Sequence, residues 1–187
     1  MRAEHREIIE LIVSGRLKFI DECGMHIAMT RLYGRAPRGQ RVVDTVPDCR
    51  GENLSVLASI DLLGRTTALA IDGAVDAIAF DLFVCDVLVP TLKPGDIVVW
   101  DNLNVHKSEG AREAIEAVGA EVLFLPPYSP DLNPIEKMWS KVKAIVRSAS
   151  ARTREALHEA LTQAFAAVTA KDARAWFAHC GYDVRGA

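Results

Sequence analysis

A chain of 187 residues has room for one domain with a sizeable core, and half of its residues are apolar and a quarter charged, as in ordinary globular proteins. It contains no run of about 18 uncharged apolar residues that could span a membrane, and the opening Met1-Arg2-Ala3-Glu4-His5-Arg6-Glu7 is too acidic for a signal peptide. The net charge of −3 argues mildly against a nucleic-acid partner, but its distribution argues the other way. Residues 23–43 carry Arg31, Arg35, Arg38 and Arg41 with no acid, and residues 137–154 carry Lys137, Lys141, Lys143, Arg147, Arg152 and Arg154, again with none. Two basic patches beside concentrated carboxylates suit a polyanion handled with metal ions; the plainer alternative is a pair of solvated faces. Cys23, Cys49, Cys85 and Cys180 are widely spaced and form no Cys-x-x-Cys pair. They read as reduced thiols in the cytoplasm rather than as a zinc site or disulfide frame.

In chain order, residues 5–13 read as a short helix stopped at Ser14-Gly15, and residues 17–22 as a strand ending at Cys23-Gly24. Period two puts Phe19 and Asp21 on one face of that strand, Ile20 and Glu22 on the other, so Glu22 is not expected to join Asp21. Residues 25–30 suggest a returning strand, residues 31–40 a loop, and residues 41–46 another strand. Residues 53–61 and 66–71, separated by Leu62-Leu63-Gly64-Arg65, predict a hairpin. Residues 76–89 have apolar positions at helical spacing and end at Pro90. Ile97-Val98-Val99-Trp100 reads as a strand buried on both faces, with Asp101 at its carboxyl end. A helix over 108–118, a strand over 121–125 and helices over 133–148, 153–168 and 171–180 complete the chain. An antiparallel meander of about three strands followed by alternating helices and strands is the element order of an α/β, ribonuclease H-like fold, here with extra C-terminal helices. The expected division is a helical extension over 1–16, a core over 17–148 and a helical appendage over 149–187.

Between the last strand and its helix lies Leu125-Pro126-Pro127-Tyr128-Ser129-Pro130-Asp131-Leu132-Asn133-Pro134-Ile135-Glu136. Each proline presets φ and biases the preceding residue away from helix, so the stretch is a stiff arm. Asn133 can cap the helix, Pro134 suits its first position and Glu136 falls at the third. If the first and fourth strands are neighbours, Asp21 and Asp101 come side by side and Glu136 approaches from the flanking helix. Two unit charges about 4 Å apart repel by roughly 4 kcal/mol at an effective dielectric of 20, so three such acids call for a cation. Hard oxygen donors point to Mg²⁺ or Mn²⁺, and a pair of ions is the arrangement used in phosphodiester displacement. Each acid also has a structural alternative: a capping box with Asn133 for Glu136, a strand-end turn for Asp101, an arginine partner for Asp21. On the helix after the arm, Ile135, Met138, Trp139, Val142 and Val146 form the apolar stripe. Lys143 and Arg147 share the face of Glu136 and are candidate phosphate contacts, with a solvated face as the alternative.

Phe19-Ile20-Asp21-Glu22, Val98-Val99-Trp100-Asp101-Asn102 with His106, and the proline arm through Glu136 resemble the DDE endonuclease domain of bacterial insertion-sequence transposases related to mariner elements. There are 34 residues between Asp101 and Glu136, the spacing typical of that family. The resemblance implies a catalytic, metal-binding triad of Asp21, Asp101 and Glu136 with two Mg²⁺ or Mn²⁺ ions, and secondary roles for Asn102 and His106. It implies cleavage of transposon ends and strand transfer into target DNA, usually at a TA dinucleotide, by a homo-oligomer associated with the nucleoid. Arg31, Arg35, Arg38, Lys143 and Arg147 would contact DNA. Such transposases carry N-terminal helix-turn-helix domains, and about 16 residues before the first strand are too few for one. The expectation is that this part is supplied separately, or that the chain is a truncated copy that binds DNA without cutting it. A receiver-type signalling domain is disfavoured by the early meander. A nucleotide-binding oxidoreductase is disfavoured because no Gly-x-Gly-x-x-Gly follows a strand.

Overall fold

The computed structural model describes residues 7, 12–48, 51, 53–101 and 108–185. Five strands form one sheet: β1 (Leu17–His26), β2 (Asn53–Asp61), β3 (Thr66–Asp72), β4 (Ile97–Trp100) and β5 (Glu121–Phe124). Their order is β3-β2-β1-β4-β5. β1, β2 and β3 pair antiparallel, whereas β1 with β4 and β4 with β5 are parallel. The helices are α1 (Ala77–Leu82), α2 (Glu109–Ala117), α3 (Pro134–Ala149), α4 (Arg154–Ala166) and α5 (Ala170–His179). This is the mixed α/β sheet of a ribonuclease H-like fold. Among the described residues no helix is long and apolar enough to cross a membrane.

The period-two pattern of the strands explains the three layers. Phe19, Val56 and Val99 face a core shared with Ile135, Trp139, Leu157 and Phe177 of α3, α4 and α5. Ile20, Leu57, Val98 and Trp100 face the opposite core, with Phe80, Phe83, Leu88 and Ile115. β1 and β4 are therefore covered on both sides, as their apolar runs require. The β2–β3 turn is closed by Asp61, whose carboxylate accepts from the amides of Leu63 and Arg65 at 2.9 and 3.0 Å and from Arg65 Nε at 2.6 Å.

Three expectations change. β1 does not end at Cys23-Gly24 but runs to His26, because β2 pairs with it as far as His26↔Asn53; residues 25–30 are thus no returning strand. Residues 41–46 join no ladder, and Val43 and Val46 stand exposed. β1 already has a neighbour on each side and the sheet ends at β3 and β5, so the meander is completed by the 53–72 hairpin instead. The helix expected over 76–89 is α for its first part, then widens into a π turn at Phe83–Leu88 and tightens at Val89–Thr91. Most of the helix expected over 5–13 lies outside the described residues; Val13 is extended, and the 3-10 turn Ser14–Arg16 follows it. Cys23, Cys85 and Cys180 are free thiols, and Cys49 lies outside the described residues.

Candidate active site

The parallel β1–β4 register sets the first two acids. Phe19↔Val99 is the last pair of that ladder, and Asp21 and Asp101 each lie two residues beyond it. Phe19 and Val99 face the α3 side of the sheet, and period two gives Asp21 and Asp101 the same side. Both lie toward the carboxyl ends of the parallel pair, where open α/β sheets bind ligands.

The arm sets the third. It leaves β5 where the Leu125 amide donates to the Trp100 carbonyl at 2.9 Å, directly beside Asp101. Buried Ser129 donates its hydroxyl to the Pro127 carbonyl at 3.2 Å, pinning a turn in which Tyr128 takes φ 53°. A 3-10 turn, Pro130–Leu132, then delivers the chain to α3, with Pro134 at its first position as expected. The Tyr182 hydroxyl donates to the Leu132 carbonyl at 2.7 Å, tying that turn to the end of the chain. The side chain of Asn133 makes no capping bond, contrary to expectation. Its backbone amide goes to the Pro130 carbonyl at 3.1 Å and its carbonyl accepts from the Glu136 amide at 3.2 Å. With both halves of a capping box thus missing, Glu136 is left exposed at the helix start.

Asp21, Asp101 and Glu136 line one cleft of about 340 Å³, together with Leu125, residues 126–130 and Asn133. The acids occupy its walls rather than one point: among the described residues no three His, Cys, Asp or Glu side chains stand close enough together to hold an ion. Mutual repulsion of like charges favours that spread. The donors nevertheless suit a hard divalent cation, being carboxylates with an amide and no thiol or imidazole among the described lining residues. Cys23, two residues beyond Asp21, reports the local field. Burial pushes its thiol up, the Lys143 ammonium beside it pulls it down, and the charges of Asp21 and Glu136 push it up again. Lys143 therefore stands beside Cys23, two residues along β1 from Asp21.

The other candidate residues separate into groups. Arg31 and Arg147 line a second groove of about 260 Å³ with Leu32, Tyr33, Ala144 and Ser148, and Arg31 Nε donates to Ser148 Oγ at 3.1 Å. Arg35 and Arg38 are exposed within residues 31–46 and are not part of that groove. Lys141 and Arg152, from the second basic run, turn inward: Lys141 binds Asp172, and Arg152 donates to the carbonyls of Ile27 and Met29. Arg154 pairs with Asp72 at 2.6 Å. Asn102 and His106 lie outside the described residues. Sequence reasoning gave no role to Tyr182, because its contact with Leu132 spans 50 positions and leaves no local pattern. Tyr128 was legible as part of the proline motif, but its outward pose was not.

A sequence profile described as DDE superfamily endonuclease matches residues 16–158. A comparison with curated proteins finds no match. Among solved structures the chain resembles a pre-cleavage Mos1 transpososome (TM-score 0.69, 19% identity, 95% of this chain and 56% of that chain). It also resembles the mariner Mos1 paired end complex with Mg (TM-score 0.69, 22% identity, 96% and 57%). The catalytic domain of Mos1 mariner transposase aligns at TM-score 0.65 and 14% identity, over 95% of this chain and 86% of that one. The chain thus spans little more than half the length of the transposase chains in the assembled complexes. The profile covers most of the chain, including both strands and the helix that carry the three acids: this protein belongs to the DDE superfamily endonucleases.

Proposed function

We propose that this chain is the catalytic part of a transposase. It cuts phosphodiester bonds at transposon ends and transfers the freed strand into target DNA, using Asp21, Asp101 and Glu136 to hold two Mg²⁺ or Mn²⁺ ions. The observation that carries this reading is the convergence of three carboxylates, from β1, the end of β4 and α3, on one cleft in a chain of this family. Mos1 structures with Mg and with Mn support the choice of ion, and a strand transfer complex supports the second chemical step. Reading of the ends by a separate helix-turn-helix part, and pairing of two copies, belong to the same proposal.

When bound, such ions activate the attacking oxygen and stabilise the leaving one. Asp21 and Asp101 would be held by the sheet, and Glu136 by a stiff arm and the start of α3, so little conformational freedom would be lost as they take up the ions. Lys143, beside Cys23 of β1, draws in the reacting phosphate. Arg147 and Arg31 extend the positive track along α3 for the neighbouring backbone. A second reading, in which the cleft grips DNA without cutting it, rests on the basic groove beside α3 alone.

Nicking of supercoiled plasmid with Mn²⁺ or Mg²⁺ separates the two. The parent chain is expected to nick, and Asp21→Asn, Asp101→Asn and Glu136→Gln to lose about a hundredfold or more, since even outer-shell partners of a metal site cost up to that much. The variants should fold, because each removes one of three mutually repelling charges. Divalent ion at about a hundred times its Kd should stabilise the parent by about 2.7 kcal/mol, and the variants much less. A parent that binds DNA but never nicks would leave the gripping reading; a variant that nicks at the parent's rate would remove its residue from the triad.

A further inference from the structure

Tyr182 follows the last helix and is buried. A helix ending puts it there. The Gly181 amide donates to the Ala178 carbonyl at 3.1 Å and the Tyr182 amide to the Phe177 carbonyl at 3.0 Å, with Gly181 in the left-handed region at φ 92°. This is the Schellman motif, in which glycine makes the left-handed turn and the residue after it packs back on the helix. Tyr182 packs in this way on Phe177, with ring centroids 5.8 Å apart. The same ring meets Phe19 edge-on at 5.1 Å, and Phe19 shares its face of β1 with Asp21. The hydroxyl reaches the other way and donates to the Leu132 carbonyl at 2.7 Å. Leu132 stands directly before Asn133 and Pro134, where α3 and its Glu136 begin. One side chain thus touches both the strand of the first acid and the arm of the third.

We propose that Tyr182 is a positioning residue for the divalent-ion site: it ties the turn before α3 to β1 and so limits how far Glu136 can stand from Asp21. This rests on the metal reading of the three acids above. Like charges push Glu136 and Asp21 apart while no ion joins them, and a tether on the arm opposes that drift. The bond suits the task because it is buried: its loss would leave the Leu132 carbonyl unpaired away from solvent, so the turn holds to the hydroxyl. Burial also pushes the phenol's pKa upward, which keeps the group a donor through the neutral and mildly alkaline range. The ring end of the tether is equally firm, wedged between Phe19 and Phe177.

The test measures Mn²⁺ binding to the full chain without DNA, from the electron paramagnetic resonance signal of the free ion, so that no cleavage is needed. Glu136→Gln should abolish the binding and thereby place the ion at the acids. Tyr182→Phe keeps the ring and removes only the hydroxyl. Its Kd for Mn²⁺ should rise about tenfold, the low end for groups that hold a metal site from behind its ligands. Ser55→Ala is the control. It loses a buried hydroxyl-to-carbonyl bond of the same kind, Ser55 Oγ to Gly73 at 2.6 Å, on the face of β2 that Leu57 shares, away from the acids. Its Kd should stay within about twofold of the parent's, since a merely structural loss does not move the ion affinity of the folded chain. Should Tyr182→Phe melt too low to titrate, Gly181→Ala carries the same expectation, because it keeps the hydroxyl but strains the left-handed turn that aims it. A folded Tyr182→Phe with the parent's Kd overturns the proposal and leaves the metal reading standing. A Kd that rises equally in Ser55→Ala overturns it too, the effect then being a general loosening. A parent without an Mn²⁺ site that Glu136→Gln removes takes away the metal reading, and the proposal with it.

Discussion

An asparagine directly before a helix that begins with proline ordinarily accepts a hydrogen bond from the second or third helical amide. Asn133 is in that position, is 5% exposed, and leaves its Oδ1 buried without a hydrogen-bond partner while lining the acidic cleft. A buried amide in that state costs about 1–3 kcal/mol, so it is no source of stability. Asn133→Ala should therefore not lower the unfolding free energy, relief of the orphaned oxygen offsetting the packing lost, where loss of a working cap costs about 1 kcal/mol. Nicking should fall about tenfold, as for other groups that orient a metal site from behind the ligands. Urea titration checks the stability, and a loss above about 1 kcal/mol would show that the side chain caps in solution. The local sequence spelled out the helix start correctly, Pro134 first and Glu136 third. It did not spell out the side chain's direction, because the turn before it is set by Tyr182, which is distant in the chain.

At the scale of elements, α3 holds its acid in place because the last two helices hold α3. Trp139 meets Phe165 of α4 edge-on, with ring centroids 6.0 Å apart. Lys141 Nζ donates to the Ala167 carbonyl at 2.7 Å and to Asp172 Oδ2 at 2.6 Å. Asp172 also completes a capping box with Thr169 at the start of α5. Gly64, at φ 75°, lets the β2–β3 turn approach the same corner: a Cβ there would stand 2.7 Å from the Thr169 backbone. The Lys141 ammonium, reinforced by Thr169, pulls the Asp172 carboxyl down to about 2. A depressed folded pKa contributes stability that is present above the unfolded value, about 3.9, and is lost as pH falls toward 2. Asp172→Asn should thus cost about 1 kcal/mol at pH 7, the worth of a cap with a partly solvated ion pair. That gap should close between about pH 4 and pH 2 in urea melts; a gap constant with pH would refute the coupling. Periodicity made the 53–72 hairpin and the helices after residue 108 legible, since each buries a regular stripe. It failed at Arg41 to Val46, whose apolar residues fall at 42, 43 and 46 without strict alternation and which joins neither edge strand, β3 or β5.

For the whole molecule, the order of elements was readable because ribonuclease H-like sheets alternate buried runs with amphipathic helices. The proline arm and the helix start that follows it were readable because they are local. What could not be read is that the chain's end completes the same core as its beginning. Phe19 of β1 packs edge-on against Phe177 and Tyr182, with centroids 5.3 and 5.1 Å apart. Those contacts join positions more than 150 residues apart in sequence, which no periodicity records. The family profile stops at residue 158, yet buried Leu161, Ala164, Ala173, Phe177 and Tyr182 all belong to the cluster that includes Met138, Trp139 and Val142. Residues 149–187, expected as a helical appendage packed on the core, share one hydrophobic cluster with α3 and β1. A chain cut after Ser150 would expose the apolar stripe of α3 and the α3 face of β1 together, and would remove the Tyr182 bond that fixes the arm before Glu136. Truncation of this kind removes far more than the roughly 5–15 kcal/mol by which domains are stable. The shortened chain should lack a cooperative melt, and the full chain should unfold in one transition with coincident fluorescence and circular dichroism. A truncated chain that melts cooperatively near the parent's Tm would show that α4 and α5 are dispensable, and that the cleft is held by the sheet and α3 alone.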